Sequence, residues 1–210
     1  MILKRLAISL ALLASLGMAS SMTRAAVIVD TGTPRNEVGA GWAFNSAHSY
    51  AGQFSVADGM TIDSIQGYFG LDAGAFSISL YGNAEDGDGG FIPGSLLRTV
   101  SVGSAKGALA WNGASGLGWN VGPGSYWAVF AATWDAGSQA SMPGSAPAAL
   151  DAYALLQGGQ WYDAAELGLA QGLRVNATAL AGPGGDVPEP ASIALVGLGL
   201  LGVGMMRRRR

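Results

Sequence analysis

The sequence predicts an all-β protein, an antiparallel β-sandwich of the jelly-roll type carried between two apolar terminal segments. Three observations lead there. Short runs of alternating or β-branched and aromatic residues recur between Ala26 and Leu180, separated by Gly, Asp, Asn, Ser and Pro. No segment of that region reads convincingly as a helix. The chain holds 34 glycines among 210 residues with only 12% charged residues, which suits a packed body rich in turns.

The expected strands, in order, are Ala26–Asp30, Gly41–Phe44, Gln53–Val56, Thr61–Phe69, Phe76–Tyr81, Leu96–Val102, Tyr126–Thr133, Tyr153–Leu156 and Leu173–Ala177. Phe76-Ser77-Ile78-Ser79-Leu80-Tyr81 alternates strictly, as a strand does with one face on a core. Thr61–Phe69 is less regular. Ala148–Gln157 contains enough Ala and Leu to permit a helix, but Gly158-Gly159 followed by Gln160-Trp161-Tyr162 reads as a hairpin return, so a strand is expected before it. About nine short strands at this spacing point to a sandwich, whose pairing order the sequence leaves open.

The N-terminal segment places Lys4 and Arg5 before the apolar run Leu6–Leu16, then small residues. That order predicts a secretory signal peptide over residues 1–25, cleaved after Ala25 or Ala19, and with it passage through the Sec translocon and signal peptidase. The run falls short of the roughly 20 residues of a permanent span. At the other end, Ala191–Met206 is free of charge and is followed by Arg207, Arg208, Arg209 and Arg210. Sixteen helical residues span about 24 Å, slightly less than a roughly 30 Å hydrocarbon core, a gap that local thinning and snorkelling arginines can close. The four arginines resist translocation and act as a stop-transfer signal, so the body upstream is expected on the far side of the membrane. Residues 181–186, Ala-Gly-Pro-Gly-Gly-Asp, form a flexible linker between the body, 26–180, and residues 187–210.

Charge is segregated along the chain. From Ala26 to Asp186 four bases stand against thirteen acids, leaving about −9 on the body. Such a surface is unsuited to phosphate backbones, so nucleic acid is excluded as a partner. Cysteine is absent, which removes disulfides, thiolate metal sites and cysteine nucleophiles.

Val187-Pro188-Glu189-Pro190, an apolar Gly- and Leu-rich segment and a terminal Arg run, in that order, resemble the PEP-CTERM protein-sorting signal of Gram-negative bacteria. The resemblance covers Val187 to Arg210. It implies recognition at Pro188, Glu189 and Pro190 by a membrane transpeptidase of the exosortase class, an inner-membrane single-pass intermediate held by 191–206, and delivery to the cell surface or an exopolysaccharide matrix. Pro190 can open the helix while Pro188 favours an extended lead-in, so the motif suits a protease cleft at the membrane surface. The body also resembles the small β-sandwich domains that precede surface-anchoring tags in bacteria, through Gln53–Val56, Phe76–Tyr81, Pro93–Leu97, Tyr126–Phe130 and Leu173–Val175; that likeness carries no activity.

A search for chemistry is mostly negative. The lone histidine, His48, sits in the polar turn Asn45–Tyr50, no Gly-x-Ser-x-Gly elbow is present, and one histidine without cysteine makes zinc catalysis improbable. Asp135, Asp151, Asp163 and Glu166 offer carboxylates without a reason to choose a glycosidase pair. No enzyme activity and no cofactor are therefore expected. The run Asn83–Gly90 offers oxygen ligands, with Asp86 and Asp88 as calcium candidates, but the spaced loop ending in a bidentate Glu is missing and Asp-Gly turn chemistry is the preferred reading. Trp42, Trp111, Trp119, Trp127, Trp134 and Trp161 are candidates for a sugar platform. Trp127, in an apolar strand, is expected in the core, whereas Trp111, Trp119 and Trp161 have polar or Gly neighbours that permit exposure. The leading expectation is a non-enzymatic surface or matrix protein; the alternative is a carbohydrate-binding module on the same delivery system.

Overall fold

The computed structural model describes residues 25–35, 41–71, 75–103, 107–132, 140–164, 167–168 and 170–180. Residues 1–24 of the expected signal peptide, the linker 181–186, the sorting motif Pro188–Pro190, the span 191–206 and the tail Arg207–Arg210 lie outside the described residues, as do Trp134, Asp135 and Glu166.

The described strands are β1 (Ala26–Asp30), β2 (Gly41–Phe44), β3 (His48–Val56), β4 (Met60–Leu71), β5 (Ala75–Glu85), β6 (Phe91–Gly103), β7 (Gly107–Val121), β8 (Gly124–Ala132), β9 (Ala140–Pro143), β10 (Tyr153–Gln157), β11 (Gln160–Asp163) and β12 (Leu173–Ala179). The fold is all-β, with no α-helix among the described residues. One sheet runs β1-β12-β4-β9-β2, with β7 on the free side of β4; the other runs β11-β10-β3-β8-β5-β6. Every pairing among these described strands is antiparallel.

The two sheets share one core. Phe76, Ile78 and Leu80 of β5, Phe54 of β3 and Phe130 of β8 meet Ile62, Ile65 and Phe69 of β4 and Leu173, Val175 and Ala177 of β12, all buried. In β5 and β12 this burial follows the alternation visible in the sequence. In β4 it does not: the register shifts between Ile62 and Ser64, so Ile62 and Ile65 both turn inward across an odd interval. The bulge is the physical reason for the irregular pattern of Thr61–Phe69.

Two elements exceed the expectation. β7 was not anticipated, because Gly107–Val121 is Gly- and Ala-rich and reads as loop. It pairs with β4 along almost its whole length, and two residues more on β7 than on β4 separate the Ile62–Trp119 and Ser64–Ser115 partners. Gly116 and Gly118, at φ 68° and 62°, supply the left-handed backbone that this bulge requires. β9 is also new, and β11 is the expected hairpin return. Gly158 and Gly159 both have positive φ, 60° and 83°, as a tight hairpin joining β10 to β11 demands. Of Ala148–Gln157, only Tyr153–Gln157 is strand.

The long outer strand β6 is blunted against further pairing. Register shifts against β5 flank Tyr81, Pro93 lies near its start, and Arg98, opposite the buried Leu80, puts a charge on the core-facing side of the strand.

Candidate functional site

The outer face of the second sheet holds the most organised group of side chains away from the main core. Trp127 is fully buried, as expected, but not in that core: with Ala51, Val129 and Ala154 it forms a separate cluster, against which Tyr81, Ala152 and Trp161 pack. Trp127 donates its indole Nε1–H to Asn83 Oδ1 at 2.9 Å, and Gln53 Nε2 donates to the same oxygen at 2.7 Å. Asn83 lies on β5 just before the β5–β6 turn. That hairpin folds back across the sheet, so that a side chain at Gly90 would stand 2.5 Å from Asp86 Oδ2 and 3.0 Å from Asp163 Oδ2 of β11. The arms of the sheet thereby close over Trp127, and Trp161 meets Tyr81 edge to face at 6.1 Å.

In the turn itself Asp86 is engaged by the loop's own backbone. Asp86 Oδ1 accepts the backbone N–H groups of Asp88 and Gly90 at 2.9 and 3.0 Å, while Gly87 and Gly89 adopt positive φ. This is Asp-Gly turn chemistry, with one carboxylate oxygen already engaged by the loop's own amides. Among the described residues no group of three or more His, Asp or Glu side chains converges to hold a metal ion.

On the outer face of the first sheet, Trp111 of β7 is held on three sides. The Arg174 guanidinium lies 3.8 Å over its ring, Tyr68 meets it edge to face at 5.4 Å, and its Nε1–H donates to Thr33 Oγ1 at 3.3 Å. Arg174 is itself fixed by Asp30 at 3.1 Å. Trp119 is buried in the main core, contrary to the exposure its polar neighbours permit, because the β7 bulge turns it inward opposite Ile62. Trp42 packs edge to face against Tyr50 at 6.4 Å. The described tryptophans thus lie buried or edge-on to a neighbouring aromatic ring.

The remaining candidates stay apart. His48 opens β3 after a tight turn in which its N–H donates to Asn45 O at 3.1 Å and the Ala47 N–H to Asn45 Oδ1 at 2.9 Å. Asp151 accepts from Ser55 Oγ at 3.0 Å, whereas Asp163 faces the β5–β6 turn. Two buried tyrosines were not singled out by the sequence. Burial pushes the Tyr50 phenol up to about 12, its hydroxyl donating to Ala43 O at 2.8 Å. Tyr153 is also raised by burial, opposed by the Leu150 N–H donated to its oxygen. Tyr50 thereby ties β2, and Tyr153 the loop before β10, to the core. A cleft of about 330 Å³ opens between β1 and β3 beneath 148–151. Gln171 is fully buried, with neither side-chain polar atom hydrogen-bonded among the described residues.

No helix among the described residues is long and apolar enough to cross a membrane. The sorting segment is recognised by its linear pattern. Residues 186–210 match the family of the PEP-CTERM protein-sorting motif. The match starts one residue before the segment read from the sequence and takes in Pro188, Glu189, Pro190 and the four terminal arginines. No curated protein matches the chain. The motif supports an exported protein that passes through a membrane-anchored intermediate and has an exosortase as its processing partner.

Proposed function

We propose that the chain is a non-enzymatic protein of the cell surface or exopolysaccharide matrix, exported by the Sec route, anchored transiently through 191–206 and released or transferred when an exosortase cuts at Pro188-Glu189-Pro190. The match of residues 186–210 to the sorting motif carries this reading. The body delivered is a jelly-roll-like sandwich. Its support is the interleaved order of eight strands, β1-β12-β4-β7 in one sheet and β3-β8-β5-β6 in the other, with β2, β9, β10 and β11 added at the margins. A sugar-binding role for this body draws less support, since the Trp111 face is covered by Arg174 and Trp127 is buried in a cluster packed by Tyr81, Ala152 and Trp161.

Intact mass of the protein isolated from its native cells tests the processing step. Loss of both residues 1–25 and the segment after the sorting motif is expected. A mature mass that still includes Ala191 to Arg210 overturns the proposal in favour of a permanent single-span anchor. Glu189→Gln should leave export unchanged and reduce the processed fraction.

A further inference from the structure

We propose that the cleft between β1 and β3 leads to a binding site for a neutral sugar residue, in which the buried Gln171 amide takes a vicinal pair of hydroxyls and the Leu150 side chain is the gate. The proposal goes beyond the export reading and concerns the body alone, so it stands whether or not the chain is processed at Pro188-Glu189-Pro190.

Gln171 lies two residues before Leu173, the first residue of β12, and like it is fully buried. Gly52 of β3 adjoins it: an added Cβ there would stand 2.8 Å from Gln171 Nε2 and 3.3 Å from Leu173 Cδ2. The side chain missing at Gly52 thus leaves the room that the amide occupies. Neither Nε2 nor Oε1 has a hydrogen-bond partner among the described residues, whereas the buried polar groups on either side do: Thr31 Oγ1 accepts the Leu173 N–H at 2.8 Å, and Gln53 Nε2 donates to Asn83 Oδ1 at 2.7 Å. Each unpaired buried donor or acceptor costs folding free energy, and Met or Leu would fill this volume without that cost. A group that reaches the amide from outside supplies the partner that the fold leaves out.

Leu150 joins this amide to the cleft. Its Cδ1 would meet the same added Cβ at Gly52, and the residue, half-buried, lines a cleft of about 330 Å³ with Val29, Asp30, Phe54, Ser55 and Asp151. The loop around it is pinned at three points. The Ala148 N–H donates to Thr31 O at 2.9 Å, the Leu150 N–H to the Tyr153 hydroxyl oxygen at 2.9 Å, and Ser55 Oγ to Asp151 Oδ2 at 3.0 Å. Opening the way to Gln171 therefore asks for rotation of the Leu150 side chain within a fixed loop.

The polar atoms select the ligand. A carboxamide presents an acceptor and a donor side by side, and two adjacent hydroxyls on a sugar ring match that pair, one donating to Oε1 and the other accepting from Nε2. At the mouth, Asp30 binds the Gly32 N–H and Arg174 through Oδ1, and Asp151 binds Ser55 through Oδ2, so each carboxylate has a second oxygen to accept hydroxyls from the rest of the ring. Among the described residues no Lys, Arg or His lines the cleft, which disfavours an acidic sugar. The volume stands at the lower end of small-ligand pockets, which run from roughly 300 to 1,000 Å³, and suits a single ring. The covered tryptophans play no part, because the ring is held by polar atoms in a cleft rather than stacked on an aromatic face.

Isothermal titration of the full chain, in a detergent without sugar headgroups, tests the site with methyl glucoside, methyl galactoside and methyl mannoside as probes. Saturable binding of at least one, tenfold or more tighter than that of cyclohexanol or glucuronate, is expected. Gln171→Met keeps the shape and removes the amide; it should weaken binding at least tenfold and leave the melting temperature unchanged or higher. Asp151→Asn, at an exposed position that does not endanger the fold, should weaken binding at least threefold. No saturable binding of any of the three glycosides overturns the proposal, as does binding that survives both substitutions. A Gln171→Met protein that melts several degrees lower also overturns it, since the amide is then paired within the fold.

Discussion

Gly113→Ala is the sharpest test of the packing between β4 and β7. A Cβ at Gly113 would lie 2.2 Å from the Ile65 carbonyl oxygen and 2.7 Å from Gln66 Cα, both main-chain atoms of the neighbouring strand. Carbon and carbonyl oxygen approach to about 3.3 Å, so the strands must part by roughly 1 Å within a continuous ladder. Neither obstacle can rotate away, which places the cost at the upper end of overpacking, about 3 kcal/mol. For a body of this size that lowers the melting temperature by roughly 6–12 °C. Two comparisons isolate the cause. At Gly52 the added methyl would meet Leu150 Cδ1 at 2.4 Å and Gln171 Nε2 at 2.8 Å, which are ends of side chains that can shift, so Gly52→Ala should cost about half as much. Gly103→Ala meets nothing and should be neutral or stabilise by about 0.5 kcal/mol. Circular dichroism melts of the three variants check the ranking. A Gly113→Ala protein melting within a degree or two of the Gly103→Ala protein would refute the reasoning.

Asn83→Ala should lower stability by about 2–4 kcal/mol, because the buried Gln53 amide and Trp127 indole lose one shared acceptor; denaturant titration should show Asn83→Asp, which keeps an acceptor oxygen, costing less. Tyr50 titrates at about 12 in the fold against 10.0 for a free phenol, so the folded state holds that proton more tightly. Its contribution, on the order of 2 kcal/mol, is intact below pH 10 and is lost as pH rises from 10 toward 12. Stability measured across that window should fall, and Tyr50→Phe should flatten the fall, although Tyr153, raised in the same direction, keeps part of it.

What the sequence displays and what it conceals differ for physical reasons. β5 and β12 were legible because each lies between partners with one face in the core, which forces Phe76-Ile78-Leu80 and Leu173-Val175-Ala177 into strict alternation. β7 was not, because its demands are met by small residues: Gly113 for close approach, Gly116 and Gly118 for the bulge. Those glycines carry the same local signature as a loop, and only the partner strand distinguishes them. Trp127 shows a subtler limit. Its burial was readable from the apolar strand around it, but the face on which it is buried depends on Tyr81, Ala152 and Trp161, distant in sequence, packing against its cluster. The sorting signal was fully legible because it is read as a linear peptide, its motif, apolar run and arginines needing no partner to be recognised.

Topology also orders the making of the body relative to its processing. β12 stands between β1 and β4 in the first sheet, and Leu173, Val175 and Ala177 are buried at its centre. Among the described strands β1 pairs with β12 alone, and its partners Ala26 and Ala177 are about as far apart in sequence as the body permits. Contacts of that separation cannot form until both ends of the body are present on the same side of the membrane. The first strand to emerge therefore waits, unpaired, for the last. β12 ends nine residues before Pro188, so the chain length that completes the first sheet is nearly the length that brings the motif to the membrane surface. A body with its central strand earlier in the chain would be folded long before the motif arrived. In this chain the residue that completes the first sheet and the sorting motif lie within nine positions of each other in sequence.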